Sequence, residues 1–171
     1  VTKLNDVLDI KDADQKTVFS KPEGYDTWKT DVKELNDFIS DTTKRRDFTQ
    51  SELAQNPVKK YVDAEETFTK LKKDFTKQAS EELTKRSTAA QENINTSSYK
   101  ISAKYQNEPE TQKKYEKEFA VIQAELNGLN TTIKENKYEV LVEDFNTVAN
   151  KIAGVNTKVN NLWTETLSKQ K

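Results

Sequence analysis

The chain has 171 residues, of which 28 are basic and 29 acidic, and it contains no cysteine, methionine or histidine. This composition excludes disulfides, thiolate metal sites and catalytic triads built on cysteine or histidine, while the balanced charge argues against a nucleic-acid-binding domain. Glycine and proline number only three each, which predicts few sharp turns and therefore long helices with short connections in a single domain, 1–171.

The N-terminal segment 1–24 has the least regular pattern. Its scattered apolar residues predict a short helix or partly irregular chain that packs on the rest through Leu8, Val18 and Phe19. The sequence Lys21–Gly24 predicts a turn, because its proline fixes φ and its glycine tolerates a positive φ.

The first long helix is predicted over 25–48. Its apolar stripe recurs at intervals of three and four residues, as expected for one helix face: Trp28, Val32, Leu35 and Ile39. A basic triplet, Lys44, Arg45 and Arg46, falls in its last turn. Cations there complement the negative end of the helix dipole, and the alternative is a docking patch for an acidic partner.

A second long helix is predicted over 57–107, since Pro57 suits a first helical turn and neither glycine nor another proline follows within that range. Its apolar residues recur every eleven positions, as in Phe68, Ala79, Ala90 and Ile101. This period of about 3.67 residues per turn is typical of a nearly straight helix. The polar run Asn93–Tyr99 weakens the helix, but continuity is favoured because the stripe resumes in phase.

Two further helices, 109–135 and 138–168, are predicted to form an antiparallel hairpin. Both carry a stripe with a period of about 3.5 residues. The first stripe is Tyr115, Phe119, Ile122, Leu126, Leu129 and Ile133, and the second is Leu141, Phe145, Val148, Ile152, Val155, Val159 and Leu162. The connector Lys134–Tyr138 is short and polar, with Asn136 as a helix stop, so the two helices must be neighbours.

The two periods predict where the long helix and the hairpin separate. Stripes of about 3.67 and 3.5 residues cannot keep one straight seam, so we expect divergence around Asn93–Tyr105. Exposed tyrosines near helix ends suit protein contacts. The predicted partner-binding residues are therefore Tyr99, Lys100, Lys104 and Tyr105, together with the basic triplet Lys44, Arg45 and Arg46.

The expected fold is an all-α, elongated, antiparallel bundle of three to four helices with coiled-coil-like stripes. No phosphate-binding glycine motif occurs, and Asp12–Asp14 lacks the remaining ligand positions of a calcium loop. The sequence therefore predicts no cofactor, no metal and no enzymatic activity.

The expected function is that of a non-enzymatic extracellular binding or spacer module. The absence of sulfur and histidine, with abundant Thr and Asn, is typical of exported proteins of Gram-positive bacteria. We expect a surface protein or lipoprotein that contacts a protein partner through a helix face or bundle end, and any targeting or anchoring segment upstream of Val1. Two alternatives stay open: a self-assembling structural coiled coil, hence a homo-oligomer, and a membrane-active helical protein or toxin.

Overall fold

A computed structural model describes residues 2–12, 14–40, 57–135 and 142–168. These residues form an all-α helical bundle, which confirms the predicted fold class. The described ranges contain five α-helices: α1 Thr2–Leu8, α2 Tyr25–Ser40, α3 Pro57–Lys104, α4 Pro109–Lys134 and α5 Val142–Ser168. The predicted last turn of the first long helix, with Lys44, Arg45 and Arg46, lies outside the described residues.

The chain divides into two compact units, Val1–Lys77 and Gln78–Lys171, called unit 1 and unit 2 below. Helix α3 contributes residues 57–77 to unit 1 and residues 78–104 to unit 2. The assignment of 1–171 to one domain stays a prediction.

The core of unit 1 forms where the N-terminal segment meets α2 and α3. Its buried apolar side chains are Leu4, Val7, Ile10, Phe19, Tyr25, Trp28, Leu35, Leu71 and Phe75. Phe19 is buried as predicted, whereas Leu8 and Val18 are half-buried. Ile10, just beyond the end of α1, is buried, and the chain reverses after it through a Lys11–Thr17 bridge.

The turn before α2 forms at the predicted position. Gly24 has a φ of 84°, a left-handed conformation that glycine adopts without steric cost. The amide of Tyr25 donates to the carbonyl of Pro22 at 3.1 Å, and the amide of Trp28 donates to the carbonyl of Gly24 at 2.9 Å. This turn sets the direction in which α2 leaves the N-terminal segment.

Helix α3 runs without a break through Asn93–Tyr99, as the in-phase stripe favoured. At 48 residues and 1.5 Å per residue it is about 72 Å long. It ends at Lys104, three residues before the predicted end, because the chain must leave the helical conformation ahead of Pro109. Pro109 then occupies the first turn of α4.

Unit 2 is a three-helix arrangement built on the predicted hairpin. Helices α4 and α5 are antiparallel neighbours, joined by ion pairs between Lys114 and Glu165 at 3.7 Å and between Lys158 and Glu125 at 2.5 Å. All six residues of the α4 stripe are buried. Five residues of the α5 stripe are buried: Phe145, Val148, Ile152, Val155 and Val159. The predicted stop, Asn136, and the helix start at 138–141 lie outside the described residues.

The predicted divergence of α3 from the hairpin around Asn93–Tyr105 is wrong. Ile94, Ile101 and Tyr105 are buried, and the side-chain amide of Asn93 donates to the side-chain oxygen of Asn156 on α5 at 3.2 Å. A helix that contacts two neighbours buries a face wider than a single stripe. That wide face absorbs the small difference in period over the few turns that unit 2 contains.

Candidate functional site

Helices α2 and α3 are held together in unit 1 by Trp28. Its indole ring stacks on Phe68 with centroids 5.7 Å apart and an interplanar angle of 19°. Its indole N–H donates to the backbone carbonyl of Ala64 at 3.1 Å. A stacked ring and a directional hydrogen bond together fix the register of the two helices.

One flank of this helix pair is an open apolar groove, called the α2–α3 groove below. Its apolar lining outside Trp28 is Val32, Leu35, Ile39, Tyr61, Ala64 and Phe68. It encloses about 260 Å³. Ile39 is 58% exposed, Tyr61 52% and Phe68 36%. The groove therefore has a rigid floor, fixed by Trp28, and rims of large apolar side chains in contact with solvent.

The charges beside the groove are unevenly distributed. The ammonium of Lys72 lies 5.5 Å from the centre of the Phe68 ring. Lys29 and Lys33 are exposed on α2, three residues before Val32 and Asn36, so the helical spacing places them along the same flank. Glu65 accepts a hydrogen bond from the Tyr61 hydroxyl, and this bond raises the pKa of Tyr61.

The opposite flank of the α2–α3 pair has a different character. Its lining includes three carboxylates, from Asp31, Glu34 and Asp63, with Lys60 as the accompanying cation. The helix pair thus has one acidic flank and one apolar flank, beside which lie Lys29, Lys33, Lys72 and the carboxylate of Glu65. Sequence reasoning did not separate these two flanks, because both come from the same stretches of mixed charge.

The structure places the four described partner-binding predictions in unit 2, in different environments. Tyr99 is 77% exposed, and the Lys100 ammonium lies 5.7 Å from the centre of the Trp163 ring. The Lys104 ammonium donates to a backbone carbonyl of α5 at 2.7 Å. Tyr105 is buried and its ring stacks on Tyr115 at 5.5 Å. Of these four, Tyr99 presents its ring to solvent, while Lys104 and Tyr105 contribute to the packing of unit 2.

Tyr99 stands at the edge of a shallow groove between α3 and α4, called the Tyr99 groove below. Ile94 and Phe119 form its floor, and Asn95, Ser98 and Gln123 are among its polar lining. Gln123 is tied to Gln91 by two reciprocal amide hydrogen bonds of 2.7 Å. This surface is more polar than the α2–α3 groove, and its Asn95 and Gln123 side chains already pair with Gln91.

Chemistry that requires clustered ligands has no candidate in the described ranges. Within them, no group of three or more Asp, Glu, His or Cys side chains is arranged to hold a metal ion. None of the helices described there is both long and apolar enough to cross a membrane. The surface features described above are the two grooves and the acidic flank of the α2–α3 pair.

Comparison with known proteins gives no assignment: no family model, no curated protein and no solved structure matches the chain. The chain's own surfaces are consequently the guide to its function. Of these, the α2–α3 groove was missed by sequence reasoning. The available signal was that Tyr61 and Val62, two adjacent apolar residues, cannot both face one neighbouring helix, and both are exposed.

Proposed function

We propose that the chain is a non-enzymatic helical module that binds a protein partner through the α2–α3 groove. The observation that carries the proposal is the exposure of Ile39, Tyr61 and Phe68 along one continuous groove. Side chains of this size stabilise a fold by about 1.5–3 kcal/mol each when fully buried. Left in solvent they contribute little of that, so a contiguous row of them is typical of an interaction surface.

The groove also has the features that favour tight protein contacts. Aromatic side chains dominate the energetics of interfaces, especially when they are held in place before binding. Phe68 is held by stacking on Trp28, and the indole N–H of Trp28 is itself held by the backbone carbonyl of Ala64. A partner that binds here therefore loses little side-chain entropy from this chain.

The proposal places the module outside a bacterial cell, as part of a surface protein or lipoprotein of a Gram-positive species. Its support is compositional: a chain without Cys, Met or His has no sulfur to oxidise. The partner would be a protein of the envelope or of a host, with no role for nucleic acid. Membrane attachment would depend on an anchor elsewhere in the protein.

Site-specific photocrosslinking tests the proposal. p-Benzoylphenylalanine replaces Tyr61 in the α2–α3 groove, Tyr99 in the Tyr99 groove, or Val121, which is a 70% exposed apolar residue on α4. Each full-length protein is irradiated in envelope extract and in plasma, and crosslinked products are identified by mass spectrometry.

The expected result is a discrete product from position 61 that is absent from position 121. The identified partner, once purified, must also bind the unmodified chain with a measurable Kd. A product from position 99 alone would move the site to the Tyr99 groove and overturn the assignment to α2–α3. A product that contains only this chain would favour the self-assembling alternative.

A further inference from the structure

The charges beside the α2–α3 groove indicate what kind of partner fits it. We infer that the groove binds an acidic amphipathic α-helix of another protein; this inference rests on the proposed function and specifies its partner class. Helix-in-groove recognition places apolar anchors at i, i+3 or i+4, and i+7 of the bound helix into a hydrophobic channel. The channel between α2 and α3 has the length and lining for that mode.

The length of the groove matches two to three turns of a bound helix. Its wall on α2 extends from Trp28 to Ile39, eleven positions, or about 16 Å at 1.5 Å per residue. Its wall on α3 extends from Tyr61 to Phe68. A helix seated between these walls at the usual spacing of about 8–10 Å would complete a three-helix arrangement.

The charge on the bound helix follows from the lysines. Lys29 and Lys33 lie along the α2 rim, and Lys72 lies over the Phe68 ring on the α3 rim. The lining holds one carboxylate, Glu65, against these three lysines. Asp or Glu side chains that flank the anchors of the bound helix would therefore meet cations on both rims, and complementary rim charge selects partners and speeds association.

Charge and area both argue against a second copy of this chain as the occupant. In a two-fold interface each patch meets its own copy, so a groove with three lysines and one carboxylate beside it would meet the same excess of lysines. The exposed parts of Ile39, Tyr61, Val62 and Phe68 amount to a few hundred Å² at about 150–250 Å² per aromatic side chain. A stable subunit interface needs about 800 Å² per partner, whereas a single helix fits the smaller patch.

Designed peptides test the inference on the full chain. The sequence contains two tryptophans. The substitution Trp163→Phe leaves only Trp28, which lies in the groove wall, so tryptophan fluorescence then reports whether a peptide occupies the groove. Three tryptophan-free amphipathic peptides share one leucine stripe and differ in their polar face, which is all Glu, all Gln or all Lys. Binding is measured by Trp28 fluorescence and by anisotropy of labelled peptide.

The expected result is that the Glu peptide binds at least tenfold more tightly than the Gln peptide, with the Lys peptide weakest. This preference should fall as salt is raised. Substitution of Lys29 and Lys33 by Gln should remove most of the preference. The matched control substitutes Lys113 and Lys117, an exposed pair with the same spacing on α4, and should leave it intact.

A second pair of variants tests the groove itself. Ile39→Lys should abolish peptide binding while far-UV circular dichroism stays unchanged, because Ile39 is largely exposed. Val121→Lys, at another exposed apolar residue, should bind as the parent does. Equal binding of the Glu and Gln peptides would overturn the inference and leave the proposed function standing.

The remaining outcomes separate the two claims. If no peptide binds while position 61 still crosslinks to a partner, the partner is not an acidic helix and the inference is wrong. If neither peptides nor a partner engage the groove, both claims fall. Concentration-dependent dimerisation that Ile39→Lys abolishes would make a second copy the occupant and overturn the inference.

Discussion

Removing the ring of Phe75 tests the packing of unit 1 most directly. The side chain is fully buried. Its ring centroid lies 6.3 Å from that of Phe19 and 6.1 Å from that of Tyr25, the latter in an edge-to-face arrangement. One side chain of α3 thus joins the N-terminal segment to the first turn of α2, and its loss should be felt in both.

The size of the effect follows from burial and ring contacts. A buried Phe→Ala substitution costs about 3–5 kcal/mol, because transfer free energy is lost and a cavity remains. Part of this cost comes from the two aromatic pairs, at about 0.5–1.5 kcal/mol each. Phe68 lies seven residues earlier on the same helix face but is 36% exposed. Solvent can fill its place, so Phe68→Ala should cost only about 1–2 kcal/mol.

Urea unfolding followed by circular dichroism measures both variants. The difference between Phe75→Ala and Phe68→Ala should be about 2 kcal/mol or more, and Phe75→Leu, which keeps most of the volume, should cost about 1 kcal/mol. An unchanged slope of free energy against urea would show that the unfolding reaction is the same. If Phe75→Ala costs no more than Phe68→Ala, the ring does not occupy the core of unit 1 and the reasoning fails.

Three further predictions concern polar contacts. Burial raises the pKa of Tyr25 above its ordinary value of 10.0. The neutral hydroxyl therefore stabilises the folded state at pH values below 10.0, and this stabilisation is lost as the pH rises through the pKa of the folded state. Tyr25→Phe should therefore cost about 1 kcal/mol at pH 8 and less at pH 10.5, both measured by urea unfolding; a constant difference contradicts this. A double-mutant cycle of Gln91→Ala and Gln123→Ala should give a coupling of about 1 kcal/mol, and additive effects would show that their reciprocal bonds are not made. Lys104→Met removes a charge-assisted hydrogen bond to the carbonyl of Thr166, so amide exchange near the end of α5 should accelerate while that in the middle of α4 stays unchanged.

Helix positions could be predicted from the sequence because apolar spacing and proline placement act locally. The six-residue stripe of α4 is buried at every position, and Pro109 marks its start. The continuity of α3 could also be predicted, because its apolar residues keep the same helical spacing on both sides of Asn93–Tyr99. What spacing did not give was the number of neighbours that each helix contacts. For that reason the divergence expected from two unequal periods did not occur.

The candidate site depended on this missing information. Tyr99 and Tyr105 were grouped as exposed tyrosines, yet Tyr105 continues the eleven-residue row through Ile94 and is buried, whereas Tyr99 lies off that row and is exposed. By contrast, Ile39 continues the stripe of α2 as regularly as any residue of α4 does, and it is exposed all the same. Periodicity shows which side of a helix is apolar, and tertiary structure decides whether a neighbour covers it.

The borders of the two units differ in a way that bears on function. In unit 2 two of the positions beside the core hold amides and hydroxyls that pair between helices: Gln91 with Gln123, and Ser87 with Asn130. Such pairs satisfy polar groups at the edge of a packed surface and fix its register. Beside the α2–α3 contact in unit 1 lie Ile39, Tyr61 and Phe68. These exposed apolar side chains do not form pairs of amides or hydroxyls between the two helices. A border of amides completes a bundle, whereas a border of exposed rings and branched chains leaves a face that another helix can cover.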